Sequence, residues 1–363
     1  EPNDKVLQVR CRKDGTLFKS MNLPVSIRNA IVSRIKVISG LKIEEKRIPQ
    51  DGRIKMTLGA KRKVDLRVST LPTLHGEKIV LRILDPAAAQ IGIGALGFEK
   101  QQETLFLEAI HKPHGLILAT GPTGSGKTVT LYTALNILNK PEVNISTVED
   151  PIEIQVNGIN QVNVNSKTGL TFADALRAFL RQDPDIVMVG EMRDQETADI
   201  AVKAAQTGHL VLSTLHTNDA SQTLARLAYM GIPAFNLASS INLIIAQRLA
   251  RTLCKHCKTP TSVPQETLLA AGFSATETMQ DIPIYSANGC EQCGHSGYKG
   301  RIGLFELLPI SEAMGHLIMH GASVRDISQQ AAKENLTTLR TAGLRKVQAG
   351  LTSLEEIHRV SKI

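Results

Sequence analysis

Tryptophan is absent from this 363-residue chain, and all aromatic residues together make up 3% of it. So low an aromatic content argues against a stacking platform for single-stranded nucleic acid. Long apolar runs are missing too. None reaches the roughly 18 residues of a bilayer span, and even INLIIAQRLA (241–250) is broken by Asn242, Gln247 and Arg248. The first residues, EPNDKVLQVR, lack the charged, apolar and small-residue order of a signal peptide. They also lack an initiator methionine, from which we expect the chain to be a piece of a longer protein. Cysteines are few, five in all, and four stand in two Cys-x-x-Cys pairs, a pattern that fits a reducing compartment with a bound metal better than a disulfide framework. Acidic residues are outnumbered, 34 against 42 Lys plus Arg, for a net charge of +8. That excess is compatible with an anionic partner, or with solvated surface and phosphate-binding arginines, and by itself specifies neither.

What is present is organised in blocks. With 42% hydrophobic residues the chain can bury real cores. Residues 1–85 alternate turn signals with short β-rich runs such as VLQVRCR, IKMTL and KVDLRVSTL, around one helix-like segment, SIRNAIVSRIKVIS, which predicts an α+β module. Residues 86–101, rich in Ala and Gly, read as a linker. From 102 to 363 the pattern becomes strand, loop, helix: GLILAT, NISTVED, DIVMVGE and HLVLSTLHT are each followed by helical sequence, which predicts an α/β domain with a parallel sheet covered on both faces. A cysteine-bearing insertion occupies about 254–300, and about 311–363 reads as two or three short helices.

The sharpest motif is GPTGSGKT (121–128), which follows the apolar strand and opens the helix TVTLYTALNIL. Glycines let backbone N–H groups converge on phosphate oxygens, and a helix N-terminus adds its positive dipole end. Gly121, Pro122, Thr123, Gly124, Ser125, Gly126, Lys127, Thr128 and Val129 are therefore candidate ATP contacts, with Lys127 on the β and γ phosphates and the Thr128 hydroxyl on Mg2+. Two strand tips supply acids. One carries Glu149, Asp150 and Glu153 around Pro151; the other carries Glu191 directly after Gly190. Hydrolysis needs one carboxylate for the attacking water and another for the metal's water shell, and we assign Glu153 to the first and Glu191 to the second. The plainer alternative has these acids capping helices or pairing with Arg193.

Arg177 and Arg181 lie four apart on one face of the helix in TFADALRAFLRQDP, a placement that an anion would relieve, although Asp183 and Asp185 are closer at hand. Arg67 and Arg82 interrupt apolar strands of the first module and are candidate phosphate contacts, with pairing to Glu77 or Asp65 as the alternative. His209 and His216 bracket the strand LVLSTL, where a ring near a γ-phosphate can sense its presence; a structural role is the alternative. Cys254, Cys257, Cys290 and Cys293 offer four thiolates for tetrahedral Zn2+, with His256 and His295 as substitutes and Cys11 left as a core residue.

Taken together, GPTGSGKTVTLYTALNILN, TVEDPIE, ALRAFLRQDPDIVMVGEMRD, AAQTGHLVLSTLHT and IAQRLARTLC resemble the Walker A, Asp box, Walker B and His box of the type II/IV secretion ATPase superfamily, and the pilus assembly ATPases within it in particular. RIPQDGRIK, RVSTLPTLHGEKIVLRILD and MGIPAFNLASSINLIIAQRLAR extend the resemblance over nearly the whole chain. It implies a RecA-like P-loop domain with a zinc-binding insertion, preceded by a PAS-like second N-terminal domain. It also implies a homo-hexameric ATP-hydrolysing motor at the cytoplasmic face of the bacterial inner membrane, acting on a platform protein and reaching the membrane through partners, with no nucleic acid expected. Position by position, it places nucleotide-contacting arginines at Arg67, Arg82, Arg177 and Arg181, the catalytic acids at Glu153 and Glu191, and the His box at His209 and His216. From the resemblance we expect the family's first N-terminal domain to lie outside the residues of this chain. A secretion ATPase driving pseudopilins, a RecA-like nucleic-acid translocase and a non-hydrolysing nucleotide-binding scaffold remain as alternatives.

Overall fold

The β-rich beginning of the chain forms two antiparallel sheets around one helix. In the computed structural model, which describes residues 1–58, 62–84, 92–165, 167–278 and 282–361, the chain divides into two units, Glu1–Ala88 and Ala89–Ile363. The first holds β1 (Val6–Lys13) paired with β2 (Thr16–Pro24), then α1 (Arg28–Ile38), then the three-stranded sheet of β3 (Gln50–Leu58), β4 (Arg62–Thr73) and β5 (Gly76–Leu84). Its core is small: Leu7, Val32, Ile54 and Val68 are buried, and so is the ion pair between Lys36 of α1 and Glu77 of β5, 2.5 Å apart. The Lys36 ammonium also donates to the Glu45 carbonyl (2.7 Å), so neither charge is left without a partner. Glu77 thus serves Lys36, not the arginines of the sheet.

In the second unit the segment expected to be a linker carries a short helix, α2 (Ile93–Leu96), in its described part; residues 86–91 lie outside the described residues. There follow α3 (Lys100–Ile110), β6 (Gly115–Thr120), α4 (Lys127–Leu138), β7 (Ile145–Glu149), β8 (Asn160–Asn163), α5 (Phe172–Phe179), β9 (Ile186–Val189), α6 (Gln195–Gln206), β10 (Leu210–Leu215), α7 (Ala220–Tyr229), α8 (Ala234–Ser240) and β11 (Ile241–Leu253). The cysteine-bearing insertion contributes β12 (Lys258–Pro260), α9 (Gln265–Ala271), α10 (Ala275–Thr278) and β13 (Tyr285–Ala287), after which β14 (Tyr298–Pro309) returns alongside β11.

The main sheet has seven strands in the order β14-β11-β6-β10-β9-β7-β8, all parallel except β14. Its strands are apolar without alternation because both faces are covered. Leu116, Leu118, Val187, Val189 and Val211 join one buried layer, which includes residues of α5 and α6. Ile117, Ala119, Met188 and Leu212 join the other, which includes residues of α3 and α4. Among the described residues no helix is long and apolar enough to cross a membrane.

The C-terminal segment holds four helices, not two or three: α11 (Glu312–Met319), α12 (Val324–Lys333), α13 (Leu339–Gln348) and α14 (Leu354–Val360). Each start is fixed by a Ser or Thr whose side chain accepts the third backbone N–H: Ser311, Ser323, Thr338 and Ser353. Such caps satisfy donors that a continuing helix would otherwise bond, and their recurrence divides the segment.

Candidate functional site

In a parallel sheet the strand C-termini share one edge, and the loops there form the ligand crevice. The P-loop follows β6, Glu153 follows β7, Glu191 follows β9 and His216 follows β10, so topology brings all four to the same edge. The two strands that carry the acids, β7 and β9, are hydrogen-bonded neighbours.

The P-loop is held from beneath by β11. Gly121 has φ +147°, and a Cβ there would lie 2.5 Å from the Gln247 carbonyl oxygen, so glycine is required both for the dihedral and for the space. The Gln247 side-chain amide donates to the Ser125 carbonyl (2.8 Å). Lys127, 8% exposed, folds its ammonium onto the carbonyl oxygens of Gly121 (2.7 Å) and Pro122 (3.3 Å). Burial lowers its pKa to about 8, Glu191 opposes the shift, and the nearby Arg248 guanidinium adds to it. Among the described residues no carboxylate lies within 4 Å of Lys127, and the buried Ser125 hydroxyl has no hydrogen-bond partner. Two buried cations, Lys127 and Arg248, stand beside backbone N–H groups and a helix N-terminus, a setting that suits a polyanion, with Asp219 and Glu306 acting on Arg248 and Glu191 on Lys127 from a distance. The exposed Thr128 hydroxyl stands at the start of α4, where a magnesium ligand is needed. These residues fit a nucleoside triphosphate with Mg2+.

Glu191 sits in a narrow slot. A Cβ on Gly190 would lie 3.2 Å from the Val148 carbonyl and 3.3 Å from the Glu149 Cα, so a small residue is needed before Glu191. Thr214 pins the turn by donating its hydroxyl to the Gly190 carbonyl (2.7 Å) and accepting the Met192 N–H on its own carbonyl (3.1 Å). Burial opposes ionisation of Glu191, but Arg193 and His216 outweigh it and hold the carboxyl below its usual range. Arg193 pairs with Glu191 and lies 3.6 Å from Asp150, linking the tips of β7 and β9. The pairing with Arg193 expected as the plainer alternative is therefore present, whereas helix capping falls to Asp194, which accepts the Thr197 N–H (2.8 Å). Glu153 is half-buried in the segment between β7 and β8.

Other candidates lie elsewhere. His209 stands at the opposite edge: its carbonyl accepts the N–H of Gly115, where β6 begins, its ring contacts the Ala204 carbonyl (3.1 Å), and β10 places it roughly 20 Å from His216. Arg177, on the exposed face of α5, pairs with Glu196 and with Asp174 (3.6 Å), and the Arg181 guanidinium donates to the Arg177 carbonyl (2.9 Å). Asp183 and Asp185 do not neutralise them; Asp185 accepts the Asn144 N–H (2.7 Å).

In the first unit, Arg67 of β4 lies directly opposite Arg82 of β5 and, on its other side, opposite Arg53 of β3. Directly paired residues share a face, so three cations form one row across the sheet, a placement that repels unless anions compensate. Sequence reading missed Arg53, because the row exists only once strand register is known.

Four of the five cysteines form a closed cluster, whereas Cys11, expected in the core, is exposed on β1. Among the described residues only Cys254, Cys257, Cys290 and Cys293 have ligand atoms close enough together to hold an ion, all within 4.8 Å of one another. The Sγ separations are 3.9 Å (Cys254–Cys290), 3.8 Å (Cys257–Cys293) and 3.7 Å (Cys290–Cys293), and tetrahedral zinc–sulfur geometry requires about 3.8 Å. Burial works against the Cys293 thiolate, but the N–H groups of Cys290 and Gly297 (both 3.2 Å) donate to its sulfur and lower it to about 6. The set fits a structural zinc ion.

A RecA-like α/β fold with a P-loop, two acidic strand tips and a four-cysteine knuckle defines a class of P-loop nucleotide-binding domains. The chain belongs to the type II/IV secretion system protein family, whose model matches residues 1–359. It is 57% identical over 362 residues to the type IV pilus assembly ATPase PilB of Pseudomonas aeruginosa, covering 100% of this chain and 64% of that protein. It is 48% identical, again over 100% of the chain, to the type II secretion system protein E of Aeromonas hydrophila, covering 71% of that protein. The crystal structure of the pilus retraction motor PilT with bound ADP superposes with a TM-score of 0.66 at 28% identity, covering 96% of this chain and 89% of that one. The chain spans less than two thirds of the length of the first PilB relatives.

Proposed function

We propose that this chain is the ATP-hydrolysing core of a type IV pilus assembly motor. It works as a homo-hexamer at the cytoplasmic face of the bacterial inner membrane, held there by partners, and moves the platform protein that feeds pilin into the fibre. The observation that carries this reading is the 57% identity with a pilus assembly ATPase over the whole chain. In this reading residues 121–129 bind the phosphates of ATP. The Thr128 hydroxyl and, through the water shell, Glu191 would hold Mg2+, which would supply positive charge to the phosphate oxygens. Glu153 takes the proton of a water whose oxygen attacks the γ-phosphorus, while the bond from that phosphorus to the β–γ bridging oxygen breaks, giving ADP and phosphate.

His216, beside Glu191, senses the γ-phosphate; for His209 the opposite edge favours a structural role. Arg67 and Arg82 recognise phosphate, and Arg53 shares their row. Assignment of Arg177 and Arg181 to nucleotide rests on the resemblance, since Arg177 already has Glu196 and Asp174. Cys254, Cys257, Cys290 and Cys293 hold structural Zn2+.

The 48% identity to a type II secretion system protein E favours a second reading with the same chemistry, in which pseudopilins replace pilins. Pull-down of the full-length protein against the cytoplasmic domains of pilus and secretion platform proteins separates the two. Selective capture of the pilus platform is expected, and selective capture of the secretion platform overturns the first reading.

A further inference from the structure

Glu149 is the last residue of β7, 4% exposed, and the hydrolytic scheme gives it no role. Three side chains donate to its carboxylate: Tyr132 through its hydroxyl (2.7 Å), Thr147 through its hydroxyl (2.8 Å) and Gln161 through its amide (3.3 Å). They come from different elements. Tyr132, with no exposed surface, belongs to α4, the helix that begins with the phosphate-binding Lys127; Thr147 belongs to β7 and Gln161 to β8.

The same donors grip the backbone next to Glu153. The Tyr132 hydroxyl lies 3.1 Å from the Ile154 carbonyl, the Gln161 amide donates to that carbonyl (3.0 Å), and the Gln161 side-chain oxygen accepts the Val156 N–H (2.8 Å). Gln161 also closes the ring by approaching the Tyr132 hydroxyl (3.2 Å). A buried carboxylate surrounded by this many donors forms a rigid knot, because each lost bond leaves a buried polar atom unpaired.

We propose that Tyr132, Glu149 and Gln161 are positioning residues that fix the segment bearing Glu153 to the phosphate-binding helix, so that the acid stands at a set place relative to the nucleotide held by that helix. The proposal rests on the reading of Glu153 as the group that takes the water's proton. Tyr132 shows why the link runs through α4. Its ring is packed in the core beside Leu131 and Leu135, while its hydroxyl reaches the acidic strand tip. A phenylalanine would pack equally well without making the link.

The test is steady-state ATP turnover and binding of a fluorescent ATP analogue, measured in the full-length protein for Tyr132→Phe, Gln161→Ala and Glu153→Gln. Tyr132→Phe is expected to lower kcat roughly ten- to a hundredfold, the cost of misplacing a reacting group by about 1 Å, with analogue affinity unchanged. Gln161→Ala, at a half-buried position, is expected to act in the same direction and gives the answer if Tyr132→Phe fails to fold. Unchanged kcat in the folded variants, or an equal loss of analogue affinity, overturns the proposal, since the first means no positioning and the second an effect on the P-loop itself. Full turnover in Glu153→Gln sinks the underlying reading instead. A deficient Glu153→Gln beside a normal Tyr132→Phe and Gln161→Ala sinks the positioning alone.

Discussion

His216 Nε2 lies 3.3 Å from Glu191 Oε2, so the residue after β10 and the residue after β9 touch at the edge where nucleotide is expected. That contact joins the residue proposed as γ-phosphate sensor to the acid proposed for the metal shell, and its loss should separate binding from hydrolysis. Glu191→Gln is expected to retain ATP while turnover falls by roughly a hundred- to a thousandfold. Radiolabelled phosphate release and nucleotide retention on a filter check it. Normal turnover removes Glu191 from the mechanism.

ATP affinity should depend on pH through Lys127. Burial holds this amine down to about 8 in the free protein, and only its ammonium form complements phosphate. Below pH 8 the group is already charged and affinity is flat. As pH rises above 8, binding must take up a proton, and affinity falls by up to about tenfold per pH unit. Titration of a fluorescent ATP analogue between pH 7 and 9.5 measures this. Lys127→Arg, which stays charged over that range, should flatten the profile if it binds at all.

Removing one partner of the buried Lys36–Glu77 pair leaves a charge without compensation. Glu77→Ala is expected to cost about 3–5 kcal/mol in the first unit, read as early loss of hydrogen-exchange protection in α1 and β5. Retained protection would mean that Lys36 finds water or another acceptor.

Arg53 should behave like Arg67 and Arg82 although it was not singled out by sequence. Arg53→Ala is predicted to raise the KM for ATP or lower kcat by a factor similar to that of Arg82→Ala, and the double variant to lose less than the product of the two. Wild-type kinetics in Arg53→Ala would exclude Arg53 from phosphate recognition.

The four cysteines predict one zinc per chain by elemental mass spectrometry. Cys293→Ser should lose it and expose residues 254–297 to protease. Full metal content in that variant would show that the cluster does not bind through Cys293.

The local part of the site was legible because its chemistry is local: the glycines of 121–126 and the sulfurs of each Cys-x-x-Cys lie within one turn. What escaped was long-range. His209 and His216 look equivalent on either side of six residues, but a strand carries its two ends to opposite edges, and only His216 reaches the crevice. The Arg53–Arg67–Arg82 row depends on register between strands. Tyr132 reads as one more core residue in an apolar helix, because sequence does not show where its hydroxyl ends. The four C-terminal helices were under-counted because their polar stretches hide caps at Ser311, Ser323, Thr338 and Ser353.

The cysteine-bearing excursion leaves the main sheet after Leu253 and re-enters at Tyr298, and these two residues face each other in the register of β11 and β14. Exit and entry therefore coincide, as at the neck of a loop drawn tight. The excursion is nevertheless tied in elsewhere: Leu268, Ala271, Phe273 and Ile284 share the main buried layer with Leu344, Val347 and Ile357, and the Arg340 guanidinium donates to the Ala271 carbonyl (2.7 and 2.9 Å), so trimming it to a short hairpin across Leu253 and Tyr298 would bare apolar surface on the C-terminal helices.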